Sequence, residues 1–167
     1  MDTLEAIRTR RSVRKFSSKP VSDNIVEEVL KAGTWAPSGM NNQPWKFVII
    51  QDQSIKDSMA ELTRYGRIIR DAPVCVAVFL DNDLCYDRTK DVQAIGACLQ
   101  NMLLAIHSMG LGGVWLGEIL KNKEKVRELL KVPNNCELMA VIAFGFPAQE
   151  PGHSERRPLK EVIVARY

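Results

Sequence analysis

The sequence predicts an α/β fold built on a parallel sheet, and three observations carry that prediction. Two apolar runs, residues 74–80 and 138–146, have strand length and end at punctuating residues: Pro73 and Asp81 for the first, Gly145 and Pro147 for the second. A helical run from about 89 to 109 is apolar on nearly every side (Val92, Ile95, Cys98, Leu99, Met102, Leu103, Ile106), which marks a central buried helix. Helix and strand patterns then follow one another in turn, as they do when crossovers join parallel strands.

In chain order, residues 3–10 read as a first helix. A second starts at Ser22, an N-cap residue type, places Ile25, Val26, Val29 and Leu30 on one face, and stops at Gly33. Residues 47–50 read as a short buried strand, followed by the run at 74–80 and the long helix. Gly110, Gly112 and Gly113 end that helix and lead into a strand at Val114-Trp115-Leu116. Residues 123–131 form a charged amphipathic helix before the strand at 138–146. The tail Val162-Ile163-Val164 is apolar enough to add one more strand.

With 167 residues and no repeat or linker, the chain is expected to be one domain, 1–167. Its net charge of +3 fits an anionic small ligand as well as nucleic acid, so charge alone decides nothing. Asp2 and Glu5 occupy the first turn where a signal peptide would be apolar, and no run is long enough to span a membrane. Cys75, Cys85, Cys98 and Cys136 show no CxxC spacing and read as reduced thiols, so a cytoplasmic location without a membrane partner is expected.

Several chemistries are excluded. His107 and His153 are the two histidines, and their spacing builds no metal site. There is no nucleophile elbow and no Walker loop. The glycines at 110–113 follow a helix rather than a strand, and Trp115 falls where the dinucleotide fingerprint needs its third glycine. If the protein is an enzyme, a bound cofactor supplies the difficult chemistry.

Two segments carry the positive evidence. In Arg10-Arg11-Ser12-Val13-Arg14-Lys15-Phe16, an arginine fork and a hydroxyl suit a phosphate monoester, and an extended path would send Ser12 and Arg14 to one side and Val13 and Lys15 to the other. A solvated helix end and a nucleic-acid patch are the competing readings of the same cations. In Ala36-Pro37-Ser38-Gly39-Met40-Asn41-Asn42-Gln43-Pro44-Trp45, two prolines and a glycine fix an irregular path that carries a dense set of amides and a hydroxyl. The edge of a flat heterocycle such as isoalloxazine would use those donors and acceptors.

These segments, with the helix from Gln93, its exit Gly110-Leu111-Gly112-Gly113-Val114-Trp115-Leu116-Gly117 and the late Arg156-Arg157-Pro158-Leu159, resemble in order the motifs of the FMN-dependent nitroreductase family. The resemblance spans nearly the whole chain. It implies an α+β fold, a mixed and largely antiparallel sheet wrapped by helices, in place of the parallel sheet. It also implies an intertwined homodimer with FMN at the interface and the C-terminus added to the partner's sheet.

By position, Arg10, Ser12 and Arg14 would hold the FMN phosphate and ribityl chain, with Arg11 as a substitute contact. Arg157 or its neighbour Arg156 would close that site. Pro37, Ser38, Gly39, Asn41 and Gln43 would reach the flavin from the partner chain, and backbone N–H groups near Gly117 and Glu118 would sit by its reactive edge. The Glu118 side chain itself reads as a solvent-exposed loop carboxylate.

The implied activity is a ping-pong oxidoreductase: NAD(P)H gives a hydride to flavin N5, then a nitro compound, quinone or similar small acceptor takes the electrons. No protein residue need be a catalytic acid or base, and no metal or nucleic acid is involved. A flavin-binding electron carrier or sensor is the alternative. The short connection before the long helix implies an open site without the lids of larger relatives. Cys85, within that connection, reads as a structural thiol, with a redox role as its alternative.

Overall fold

The computed structural model describes residues 1–150, 152 and 154–167; His153 lies outside the described residues. Among the described residues the order is α1 (Thr3–Thr9), α2 (Asp23–Thr34), a 3₁₀ turn (Gly39–Asn41), β1 (Trp45–Ile50), α3 (Gln53–Ala60), α4 (Gly66–Asp71), β2 (Val74–Asp81), α5 (Arg88–Ser108), β3 (Gly112–Leu116), a second 3₁₀ turn (Glu118–Asn122), α6 (Lys123–Leu129), β4 (Cys136–Gly145) and α7 (Leu159–Val162). Helix starts follow their caps: Asp2 accepts from Glu5 N at 3.0 Å, Asp52 from Ile55 N at 3.0 Å and Asp87 from Lys90 N at 3.0 Å. Ser22 occupies the cap position of α2 without making that bond.

The four strands run in the order β1-β2-β4-β3, and every neighbouring pair is antiparallel. The fold is therefore α+β with an antiparallel sheet, and the parallel sheet predicted from alternation is wrong. The cause lies in one unit. β2 and β3 point the same way with α5 as their crossover, but β4 slots between them in the opposite direction. The run at 74–80 looked like a parallel-sheet strand because helices cover both faces of the sheet. Val74, Val76, Val78 and Leu80 pack with α2 and α5, while Cys75, Ala77 and Phe79 join a second core with α3, α4 and α6.

A bulge in β4 keeps this two-sided pattern in step. Val78 pairs with Ala140 and Phe79 with Leu138, so Met139 is an extra residue. Leu138 and Ala140, which strict alternation would place on one face, consequently belong to opposite cores.

Helices α3 and α4 were not anticipated from the sequence. The tail also differs from expectation: α7 is one short turn, and Ile163 to Tyr167 form no strand in this chain. Its apolar side chains are open to solvent, Leu159 at 70% and Val164 fully.

Candidate functional site

The basic segment is laid along the sheet edge. Ser12 forms a parallel bridge to Gly113 and Val13 N donates to Gly113 O at 3.0 Å, beside the start of β3. Further on, Ser17 N donates to Phe146 O at 2.8 Å and Ala148 N to Lys15 O at 3.0 Å, beside the end of β4. Val13 is buried and Ser12 and Arg14 face solvent, as an extended path requires; Lys15 is exposed as well.

Glycine at 112 permits this close approach, because a Cβ there would lie 2.5 Å from the Val13 Cβ. Arg10 caps the end of α1 and lines a cavity of about 260 Å³ with Arg11, Val13, His107 and Gly113. Arg11 turns back, donating to Arg8 O at 2.7 Å and Arg10 O at 2.9 Å, so it closes its own helix.

The arginines of this corner are clustered, and Glu150 shares the cavity wall with Arg10 and Arg11. Arg10, Arg11, Arg14, Arg156 and Arg157 enter no ion pair among the described residues. Burial, then the charge of Arg156, then that of Arg11, lower the Arg10 pKa. Arg156, which donates to Ser154 Oγ at 2.9 Å and to Glu155 O at 3.0 Å, is thus the C-terminal arginine whose charge Arg10 feels.

His107, missed as a site neighbour by sequence reasoning, lies on the same cavity wall as Arg10 and Arg11. Burial first, then Arg10 and Arg11, lower its pKa. Thr9 Oγ1 donates to Glu5 O at 2.7 Å, so at 2.8 Å it accepts from His107 Nε2, which fixes the Nε2–H tautomer.

The amide-rich loop adopts a conformation that L-residues rarely take. Met40, Asn41 and Gln43 have φ of 52°, 56° and 48°, in the left-handed region. Ser38 Oγ accepts from Gln43 N at 3.0 Å, and Gln43 Nε2 donates to Asn41 O at 3.2 Å, so these two side chains brace the loop from within. Asn42 anchors it from below, donating to Leu84 O at 3.0 Å and Asp91 Oδ1 at 2.6 Å. Asn41 and Gln43 are exposed, while Ser38 and Gly39 are half-buried against a cavity of about 350 Å³ that Tyr86, Lys90 and Gln93 also line.

At the far end of β3, Gly117 is exposed with open space where a Cβ would stand. Glu118 is not a free loop carboxylate as the sequence suggested. It accepts from Thr63 Oγ1 at 2.5 Å and Arg64 N at 3.1 Å, and pairs with Lys121 at 2.5 Å. The bonds from Lys121 and Thr63 bring its pKa down to about 2. The side chain therefore holds the turn whose backbone was proposed to meet the ligand.

One chain does not bring all these residues together. The basic segment lies by Gly112 and Gly113, paired to Gly145 and Phe144; the amide loop precedes Trp45, paired to Leu80 and so to Glu137. Three strand spacings and eight residues along β4 separate these corners, about 30 Å on standard sheet dimensions.

With that geometry in place, comparison with known proteins assigns the family. The nitroreductase family model matches residues 7–65 and 60–146, and the chain belongs to the nitroreductase family. A relative from Methanothermobacter thermautotrophicus, which carries the provisional name NADH dehydrogenase/NAD(P)H nitroreductase, is 36% identical over 154 residues, 91% of this chain and 81% of its own. A Desulfovibrio desulfuricans protein crystallised in complex with FMN superposes with a TM-score of 0.95 at 46% identity, covering 100% of this chain and 98% of that one. The NADPH:FMN oxidoreductase of Vibrio harveyi, solved with NAD+, gives a TM-score of 0.90 at 27% identity over 99% of this chain and 77% of its own.

Proposed function

We propose that this protein is an NAD(P)H-dependent FMN oxidoreductase that reduces nitro compounds, quinones or similar small electron acceptors in a ping-pong cycle. The observation that carries the reading is the arginine corner beside β3, where Arg10, Arg11 and Arg156 cluster and form no ion pair among the described residues, although Glu150 also lines the cavity. A phosphate monoester, with about −1.5 to −2 charges, suits that corner, and the hydroxyl of Ser12 adds a donor.

In this reading Arg10, Ser12, Arg14 and Arg156 hold the FMN phosphate and ribityl chain, with Arg157 alongside. Arg11 contributes field rather than a bond, since its guanidinium closes α1. Gly117 and Glu118 present backbone N–H groups at the far end of β3, in a turn that the Glu118 side chain keeps in place. FMN, when bound, supplies the hydride and electron chemistry. The cationic surround favours the negative charge that a reduced flavin carries.

The working unit in this reading is a homodimer. About 30 Å separates Gly112 from the amide loop within one chain, so a second copy is needed for Pro37, Ser38, Gly39, Asn41 and Gln43 to meet a ligand held by the first. Apolar surface beside the loop and in the tail supports it: Trp35 is 84% and Met40 82% exposed, and Leu159, Val162 and Ile163 are open as well. Four free cysteines suit a reducing, cytoplasmic setting.

Titrating the purified protein with FMN and with riboflavin, followed by flavin fluorescence, tests the site. FMN should bind at least about ten-fold more tightly, because riboflavin lacks the group the arginines would bind. Equal affinity would place the phosphate elsewhere.

A further inference from the structure

Asp91 has no solvent exposure, yet it is a carboxylate in the first turn of α5 and has no cationic partner among the described residues. Its charge is met by N–H groups. Oδ1 accepts from Asn42 Nδ2 at 2.6 Å, and Oδ2 accepts from Tyr86 N and Asp87 N at 3.0 Å each. The N-terminal end of a long helix adds favourable field. Burial alone would raise the pKa, but the bonds from Asn42, Asp87 and Tyr86 outweigh it and hold it below the ordinary range.

A buried charge is a costly way to stabilise a fold, and in some proteins its role is to specify one arrangement. Here the arrangement is the amide loop. Three of its residues sit at positive φ, and such backbone persists only where the surroundings over-determine it. Asn42 is the side chain that ties that stretch to the body of the protein, and its amide orientation is forced. Nδ2 faces two oxygen acceptors, Leu84 O and Asp91 Oδ1, so a flipped amide would oppose oxygen to oxygen. The same carboxylate grips Tyr86, whose hydroxyl abuts Gly39 at the top of the loop. One buried group thus fixes the loop from two sides.

We propose that Asp91 is the positioning residue for the flavin-facing loop: through Asn42 and the Tyr86 backbone it holds residues 38–43 in the conformation that contacts FMN. This rests on the FMN reading above. Asp91 touches no cofactor and acts through the loop alone.

The test measures FMN affinity and the visible flavin spectrum of the wild type, Asp91→Asn, Asn42→Ala and the double variant, with thermal midpoints alongside. Each single change should weaken FMN about ten-fold or more and move the flavin bands toward those of free FMN. The double variant should be little worse than either single one, because both act on one connection. If Asp91→Asn fails to fold, Asn42→Ala carries the test, since it leaves the two backbone donors on Asp91 in place.

Lower thermal midpoints with unchanged affinity and spectrum would make Asp91 structural only and overturn the proposal, as would effects that simply add. If the wild type itself takes up no FMN, the functional reading falls and the proposal falls with it. A wild type that binds beside variants that bind equally well overturns the proposal alone.

Discussion

Val13 lies against Gly112 with no room for a side chain between them: a Cβ at 112 would stand 2.5 Å from the Val13 Cβ. That contact brings the basic segment flush with β3 and puts Ser12 in register with Gly113. Gly112→Ala should therefore push the segment off the edge strand, costing about 1–3 kcal/mol as overpacking does. Gly117→Ala, just past the end of the same strand, is the control; its Cβ meets open space, so stability should change by about 0.5 kcal/mol or less. Urea unfolding of both variants checks the pair.

The arginine corner makes a ranked prediction. Arg10 feels the charge of Arg156, and no such coupling involves Arg157. Arg10→Ala and Arg156→Ala should each weaken FMN about ten-fold or more, and Arg157→Ala less. FMN titrations at two salt concentrations check this, with the wild type showing the steeper loss at high salt.

Gly39 and Tyr86 form a second tight contact, in which a Cβ at 39 would overlap the Tyr86 ring and hydroxyl. Gly39→Ala should lower FMN affinity by displacing the loop. Tyr86→Ala in the same chain should recover most of the loss, because it removes the atoms in the way. Affinities of the two single variants and the double variant decide it.

Glu118 has its pKa lowered from 4.5 to about 2, so its sign is fixed. The folded state binds this proton less readily than the unfolded one. Its contribution to stability is fully present above about pH 4.5 and disappears as pH falls through about 2. Urea midpoints of wild type and Glu118→Gln, compared between pH 7 and pH 2, should differ at neutrality and converge at the acid end.

Cys85 donates its thiol to Asp81 O at 3.3 Å, and burial, with Asp91 next, pushes its pKa up to about 11. Two units above the ordinary 9.0 leaves about a hundred-fold less thiolate at pH 8. Alkylation at pH 8 should be slow in the folded protein and fast once it is unfolded. Fast alkylation of the folded protein would instead favour a redox role for Cys85.

What the sequence reveals follows from how far apart partners lie along it. The basic segment and the amide loop were legible because each is contiguous and its residue types state their chemistry. The strands at 74–80 and 138–146 were legible as strands but not in direction, since two-sided burial looks the same in parallel and covered antiparallel sheets. Helices α3 and α4 are short, and their stability comes from packing under β1 and β2 rather than from a strong pattern. The grip of Asp91 on Asn42 spans 49 residues and that of Glu118 on Thr63 spans 55, so no local motif announces either.

Anaerobic titration of the FMN-loaded protein with NADH and NADPH, followed by visible absorbance, tests the central claim most directly. The flavin bands should bleach with one equivalent of nucleotide and return when a quinone or nitro compound is added. Bands that stay unchanged with both nucleotides, or a protein that takes up no FMN at all, would contradict it.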